Sequence, residues 1–230
     1  MSFTPSKPIK RVTVHTLEEL KQRGEKISML TAYDYSLAKI VDDANIDVIL
    51  VGDSASNVMA GHETTLPITL DQMIYHAQAV VRGTKKALVV VDLPFGSYEE
   101  SPEQALATST RFFKESGAMA VKIEGARIST VEKLVATGIP VMGHLGFTPQ
   151  SLHQLSGYKV QGRTDGDSIF EAALALEKAG VFAIVLELVP AELAARITKA
   201  LAIPTVGIGA GVDCDSQVLV WTDLMGITKN

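Results

Sequence analysis

The amino-acid sequence predicts an α/β chain folded as a (β/α)8 barrel, and three observations carry that reading. Short runs of near-continuous Val, Ile and Leu recur along the chain, helix-start signals fall between them, and an acid or a base closes run after run. Runs without polar alternation are buried on both faces, as in a parallel sheet covered by helices. Barrels carry their reactive residues at the C-terminal ends of the strands, where these acids and bases fall. A doubly wound open sheet is the alternative with the same alternation.

Taken in order, residues 16–23 form a short helix closed by Gly24, within an N-terminal extension (1–26) that could plug the base of the barrel. The strands follow at 27–31, 47–51, 87–91, 118–123, 140–143, 182–186 and 204–208, with a weaker eighth at 217–221. Between them, Thr69 with Gln72, Ser101-Pro102 with Gln104, Ser129 with Glu132 and Ser168 with Glu171 fit the capping box, in which side chains satisfy orphan backbone donors. Gly117, Gly138 and Gly180 stand where those helices should stop. Only residues 225–230 follow the last strand, too few for the final helix. One barrel flank is therefore expected to be bare unless another subunit covers it, which makes a homo-oligomer the expectation.

Composition fits one barrel domain spanning 1–230. Of the 230 residues, 47% are hydrophobic and 20% charged, enough apolar material for a large core. A net charge of -5 without a Lys/Arg cluster argues against nucleic acid as a partner. The first eleven residues are polar and contain proline, unlike a signal peptide, and no run of 18 apolar residues offers a membrane span. A single cysteine, Cys214, excludes an internal disulfide and fits a cytoplasmic location.

The strand-end residues are Asp53, Asp92, Lys122 with Glu124, His144 and Glu187. Because strand side chains alternate faces, Lys122 and Glu124 share one face and Val121 and Ile123 the other. An Asp at a strand end is often a helix N-cap. Here Asp92 is followed by Leu-Pro-Phe-Gly with the cap expected at Ser101, and Asp53 by a loop (54–65) ahead of a helix opening near Thr69. Glu187, among apolar neighbours, suits a proton acceptor or donor, with a structural ion pair as the alternative. His144 stands in Gly-His-Leu-Gly, where glycine lets a ligand approach. His15, His62, His76 and His153 have no comparable setting and read as surface or packing residues. Carboxylates converging without Cys/His ligand spacing suggest a hard divalent ion such as Mg2+. Gly-Ile-Gly-Ala-Gly at 207–211 could bind phosphate, but the matching loop after the eighth strand is missing, so it reads as a tight turn shaping the cavity.

Several strings together resemble one family. Leu-Thr-Ala-Tyr-Asp at 30–34, Val-Gly-Asp-Ser at 51–54, Asp-Leu-Pro-Phe-Gly-Ser at 92–97, Val-Lys-Ile-Glu-Gly at 121–125, Gly-His-Leu-Gly at 143–146, Glu187 and the glycine string at 207–211 closely resemble the ketopantoate (3-methyl-2-oxobutanoate) hydroxymethyltransferases. The resemblance implies a barrel of the phosphoenolpyruvate/pyruvate type. It implies an enzyme making 2-dehydropantoate from 3-methyl-2-oxobutanoate and 5,10-methylenetetrahydrofolate, in pantothenate and coenzyme A biosynthesis. It places Mg2+ on Asp53 and Asp92 with Glu124 in the metal shell, and the oxo acid on Ser54 and Lys122. His144 positions substrate or relays a proton, Glu187 accepts the C3 proton, and the resulting enolate attacks the folate-borne one-carbon unit. It further implies a ring-on-ring assembly, commonly a decamer, and a helical tail beyond the point where this chain stops. Two rivals remain: a Mg2+-dependent carbon–carbon lyase or mutase of the same superfamily, and a phosphate- or flavin-binding barrel built on the 207–211 loop.

Overall fold

The computed structural model describes residues 10–228, so the first nine residues of the expected extension and the last two of the tail lie outside the described residues. Eight parallel strands, β1 (Ile27–Thr31), β2 (Val48–Val51), β3 (Leu88–Asp92), β4 (Ala120–Lys122), β5 (Val141–Gly146), β6 (Ala183–Glu187), β7 (Thr205–Ile208) and β8 (Ser216–Leu219), close in sequence order, β8 pairing with β1. The open-sheet alternative is excluded by that closure.

Strand alternation divides the apolar residues into two cores. Ile27, Met29, Val48, Leu50, Leu88, Val90, Ala120, Met142, Ala183, Val185, Val206 and Val218 pack together, while Ile49, Val51, Val89, Val91, Val121, Val141, Ile184 and Leu186 pack with the helices. The first set fills the barrel as layers of side chains, so the barrel is a packed core and not a pore. Above it, the same inward-facing positions of β3, β4, β5 and β6 become Asp92, Lys122, His144 and Glu187.

The helices are α1 (Val14–Gln22), α2 (Tyr35–Asp43), α3 (Ala55–Val58), α4 (Leu70–Gly83), α5 (Pro102–Arg111), α6 (Ile128–Ala136), α7 (Leu152–Leu155), α8 (Gly166–Ala179), α9 (Ala191–Ala200) and α10 (Trp221–Leu224). A capping box between Thr13 and Thr16 starts α1, and buried Leu17 joins the inner core, which makes α1 the expected plug. The Thr69–Gln72 box starts α4, and Ser101 caps α5 with Pro102 in its first turn. Gly117, Gly138 and Gly180 all take positive φ just past a helix.

Four local expectations need correction. Gln104 reaches back to the N–H of Glu100 rather than to that of Ser101. Ser129 does not cap α6: bonds from Arg127 N to Gly125 O and Ile128 N to Ala126 O fold the chain sharply out of β4, and the helix begins at Ile128. Ser168 lies inside the first turn of α8, donating to the carbonyl of Asp165, so that helix starts at Gly166. Trp221 heads α10 rather than ending β8, its N–H held by Thr31 Oγ1.

At the expected bare flank, the helix that follows β8 among the described residues is the four-residue α10. A groove of about 410 Å³ there is lined by Leu30, Ile46, Val212, Leu219 and Leu224.

Candidate active site

A cavity of about 350 Å³ opens at the C-terminal end of the barrel and brings together Asp53, Ser54, Asp92, Lys122, Glu124, His144 and Glu187, every site residue expected from the sequence. Register explains part of this, since Asp92 stands beside Lys122 on β3 and β4. Lys122 Nζ lies 2.8 Å from Asp92 Oδ1 and 3.4 Å from His144 Nδ1. His144 bridges two carboxylates, with Nδ1 3.4 Å from Glu124 Oε1 and Nε2 3.3 Å from Glu187 Oε2.

Asp53, Asp92, Lys122, Glu124 and His144 are buried, Ser54 is half-buried, and the Glu187 side chain keeps 17% of its surface exposed. Glu187 is thus the carboxylate with an open approach to a substrate. The end of β6 is fixed by close backbone packing. Leu188, next in the chain, sits in the left-handed region at φ 47°, a conformation costing about 1–3 kcal/mol for a bulky residue. Bonds from its N–H to Ile208 O and from Gln161 N–H to its carbonyl hold it there. Gly146 lies beside Glu187 in register, at φ 92°, and a Cβ there would stand 2.2 Å from the carbonyl oxygen of Glu187. Gly209 and Gly211 also take positive φ, and a Cβ on either would run into Leu188 or Ala191. The 207–211 string is therefore the expected tight turn, packed against the segment after Glu187.

The cluster's electrostatics follow from burial and charge count. Burial, then the charges of Asp92 and Glu124, push the Asp53 carboxyl well above its ordinary range. Burial also raises Asp92, with Lys122 opposing. Burial works against the charge on Lys122, but Asp92, Glu124 and Asp53 outweigh it and raise its pKa. Burial and Lys122 likewise disfavour imidazolium at His144, yet Glu124 and Glu187 lift it to about 9. Burial opposes ionisation of Glu124, and the His144 contact overcomes it, holding Glu124 below the usual carboxylate range. Four carboxyl groups, Asp53, Asp92, Glu124 and Glu187, thus meet two basic side chains, Lys122 and His144, and the raised Asp53 expresses that excess of acids over bases.

Carboxylates at the two ends of the barrel differ in what they do. At the base, Asp42 accepts from the N–H groups of Lys85, Lys86 and Ala87, and Asp47 from Ser28, so both are saturated by backbone and hydroxyl donors. At the mouth, Asp92 Oδ1, Glu124 Oε1 and His144 Nε2 are buried without a hydrogen bond. Each instead forms an ion pair with a near neighbour, Lys122 at 2.8 Å, His144 at 3.4 Å and Glu187 at 3.3 Å respectively. Among the described residues, no three His, Cys, Asp or Glu side chains form a ready metal cage. A hard dication needs no such cage, because Mg2+ takes one or two carboxylates and completes its shell with water and substrate oxygens. The oxygens without hydrogen bonds and the excess of acids over bases fit such an ion.

A family model of ketopantoate hydroxymethyltransferase matches residues 11–230. The 3-methyl-2-oxobutanoate hydroxymethyltransferase of Frankia alni is 60% identical over 95% of this chain and 73% of its own length. That of Flavobacterium johnsoniae is 57% identical over 98% of this chain and 85% of its own. This chain belongs to the ketopantoate hydroxymethyltransferase family. It is accordingly a hydroxymethyltransferase of the hydroxymethyl-transfer step in pantothenate biosynthesis, which removes the lyase and phosphate-barrel rivals. Solved structures of more distant sequence share the fold. A phosphonopyruvate hydrolase in complex with oxalate and Mg2+ superposes with a TM-score of 0.69 at 12% identity, over 93% of this chain and 82% of that one. A 2,3-dimethylmalate lyase of the PEP mutase/isocitrate lyase superfamily gives 0.64 at 18%, with the same coverages.

Within this hydroxymethyltransferase, sequence reasoning missed the uncharged residues that organise the charged ones. Tyr33 Oη is 2.7 Å from Ser54 Oγ, and burial pushes its phenol up to about 12, keeping it a neutral partner. Tyr158 lines the cavity and packs on Phe147 at 4.7 Å. Gln150 and Tyr98 interlock beneath Asp53 and Glu124. The available signal was position alone: Tyr98 follows the Asp92 motif and Gln150 the Gly-His-Leu-Gly motif.

Proposed function

We propose that this hydroxymethyltransferase uses Mg2+ and takes its one-carbon unit from 5,10-methylenetetrahydrofolate, converting 3-methyl-2-oxobutanoate to 2-dehydropantoate. The observation that carries the reading is the excess of acids over bases, four carboxyl groups against Lys122 and His144, at the closed end of a cavity whose accessible acid is Glu187. Asp53 and Asp92 would hold the metal, with Glu124 beside it. When bound, the ion supplies a Lewis acid that draws electron density from the 2-oxo group and acidifies C3.

The remaining roles belong to the chain. Lys122 offsets the substrate's carboxylate, and Ser54, oriented by Tyr33, hydrogen-bonds it. Glu187 takes the proton from C3, and His144, charged between Glu124 and Glu187, steadies that base. The carbanionic C3 then bonds to the methylene carbon carried by the folate, whose two C–N bonds break as water supplies the hydroxyl oxygen, and tetrahydrofolate leaves with the C3 proton, passed on by Glu187, and one proton from the water. Residues 54–63 supply a wall for that co-substrate, Asn57 and Val58 lining the cavity.

The chain acts as one barrel domain with α1 closing its base, in the cytoplasm and as a homo-oligomer, a decamer on the family's pattern, with no nucleic-acid or membrane partner. The open groove against β1 and β8 and the buried free thiol of Cys214 support this. Among the described residues, no helix is long and apolar enough to cross a membrane. Sedimentation at micromolar concentration tests the assembly, a monomeric mass removing it. For the chemistry, product formation is followed with and without methylenetetrahydrofolate and with chelator in place of Mg2+. Turnover needing both is expected. Product formed after metal removal would overturn the metal reading, and product independent of the folate would overturn the donor.

A further inference from the structure

We propose that Gln150, braced by Tyr98, is the positioning residue of the metal-binding carboxylates, an inference that rests on the Mg2+ reading above. Gln150 lies in the single 3-10 turn after β5 (Pro149–Ser151), is 8% exposed, and touches both Asp53 and Glu124. Its side-chain Nε2 donates to Asp53 Oδ2 at 2.9 Å and to the carbonyl of Leu93 at 2.9 Å, and its backbone N–H donates to Glu124 Oε2 at 3.0 Å. Its Oε1 accepts from Tyr98 Oη, which in turn accepts from the N–H of Glu124 at 3.2 Å.

The network leaves Gln150 no freedom. Both amide hydrogens and the amide oxygen are engaged, and a flipped amide would set its oxygen against two acceptors, Asp53 Oδ2 and Leu93 O, so the orientation follows from the partners. The consequence for the carboxylates is symmetrical. Gln150 ties one oxygen of each, Asp53 Oδ2 and Glu124 Oε2, while the other oxygen of Glu124, Oε1, has no hydrogen bond and keeps only its 3.4 Å charge contact with His144 Nδ1. One uncharged residue thus decides which oxygen each acid presents. A saturated amide suits this work, because it restrains a carboxylate without adding a charge that would compete with a cation. Tyr98, 1% exposed with Arg127 stacked 5.3 Å over its ring, gives the brace a fixed footing.

The test is calorimetric titration of MgCl2 into chelator-stripped wild type, Gln150→Met, Tyr98→Phe and the double variant, with circular dichroism to verify folding. Gln150→Met keeps the volume and the backbone N–H but loses the hold on Asp53, and it is expected to bind Mg2+ about tenfold or more weakly, the usual scale for residues that orient metal ligands. Tyr98→Phe should weaken binding about threefold, and the double variant should fall short of the product of the two. In turnover, the Mg2+ concentration giving half-maximal rate should rise by more than kcat falls, a split that general loosening of the fold would not produce. Mg2+ affinity within twofold of wild type in Gln150→Met overturns the proposal, and if that variant does not fold, the same result in Tyr98→Phe does. Wild type that binds no Mg2+ at millimolar concentration overturns the metal reading together with this one. Tight wild-type binding with unaffected variants overturns the positioning role alone.

Discussion

Replacing Glu187 with Gln removes the proposed proton acceptor while keeping its size. The side chain is 17% exposed into the cavity, with Oε2 3.3 Å from His144 Nε2, so the amide fits the same space and can donate to solvent or substrate. What it cannot do is take a proton from C3. A positioned general base is worth roughly 100- to 10,000-fold, about 3–5 kcal/mol of barrier at about 1.4 kcal/mol per decade. The substitution also removes one of the four acids of the cluster, which weakens the dication's hold without abolishing it. The assay follows exchange of the C3 proton of 3-methyl-2-oxobutanoate in D2O by NMR, with Mg2+ and no folate, isolating proton removal from transfer. Exchange at least a hundredfold slower than wild type is expected, unrelieved by excess Mg2+. A folded, metal-binding Glu187→Gln that exchanges within tenfold of wild type would refute the assignment of the base.

Other perturbations read out the rest of the cluster. Lys122→Met leaves Asp92 buried without its cation, and urea unfolding of the chelator-treated protein should show a loss of about 3 kcal/mol or more; a loss below about 1 kcal/mol would mean the 2.8 Å pair contributes little. For His144, the folded pKa near 9 lies above the ordinary 6.5, so its contribution is complete below pH 6.5 and disappears as pH rises through 9. The stability gap between metal-free wild type and His144→Gln should therefore shrink by about 3 kcal/mol from pH 6 to pH 10, and a gap independent of pH would show that the imidazole is neutral throughout. In Gly146→Ala, a Cβ 2.2 Å from the Glu187 carbonyl at φ 92° forces β5 and β6 apart. We expect more than about 2 kcal/mol of destabilisation, on general costs for an L side chain in this conformation plus the clash, together with slower C3 exchange; unchanged melting and exchange would show the strand ends to be compliant.

Much of this protein was determined by its sequence alone, wherever the physics is local. Doubly buried strands need unbroken runs of Val, Ile and Leu, so β2, β3 and β6 are legible to within a residue of their ends. The period-two alternation that sends Val121 outward necessarily sends Lys122 and Glu124 inward, which made the polar layer above the apolar one readable before any coordinates. Capping was legible only where nothing nonlocal competed: Thr69 and Ser101 start their helices from open loops, whereas at Ser129 and Ser168 the turn entering the helix set the first residue. Tertiary structure alone decided which oxygen of each carboxylate Gln150 ties. Gln150 lies 97 positions from Asp53 and 26 from Glu124, and a neutral amide has no charge or spacing to mark it. It acquires its part only when the closed barrel brings β2, β4 and the turn after β5 within hydrogen-bonding distance. The same closure makes His144 a bridge between Glu124 and Glu187, since the charge on an imidazole is set by neighbours that the chain order does not name.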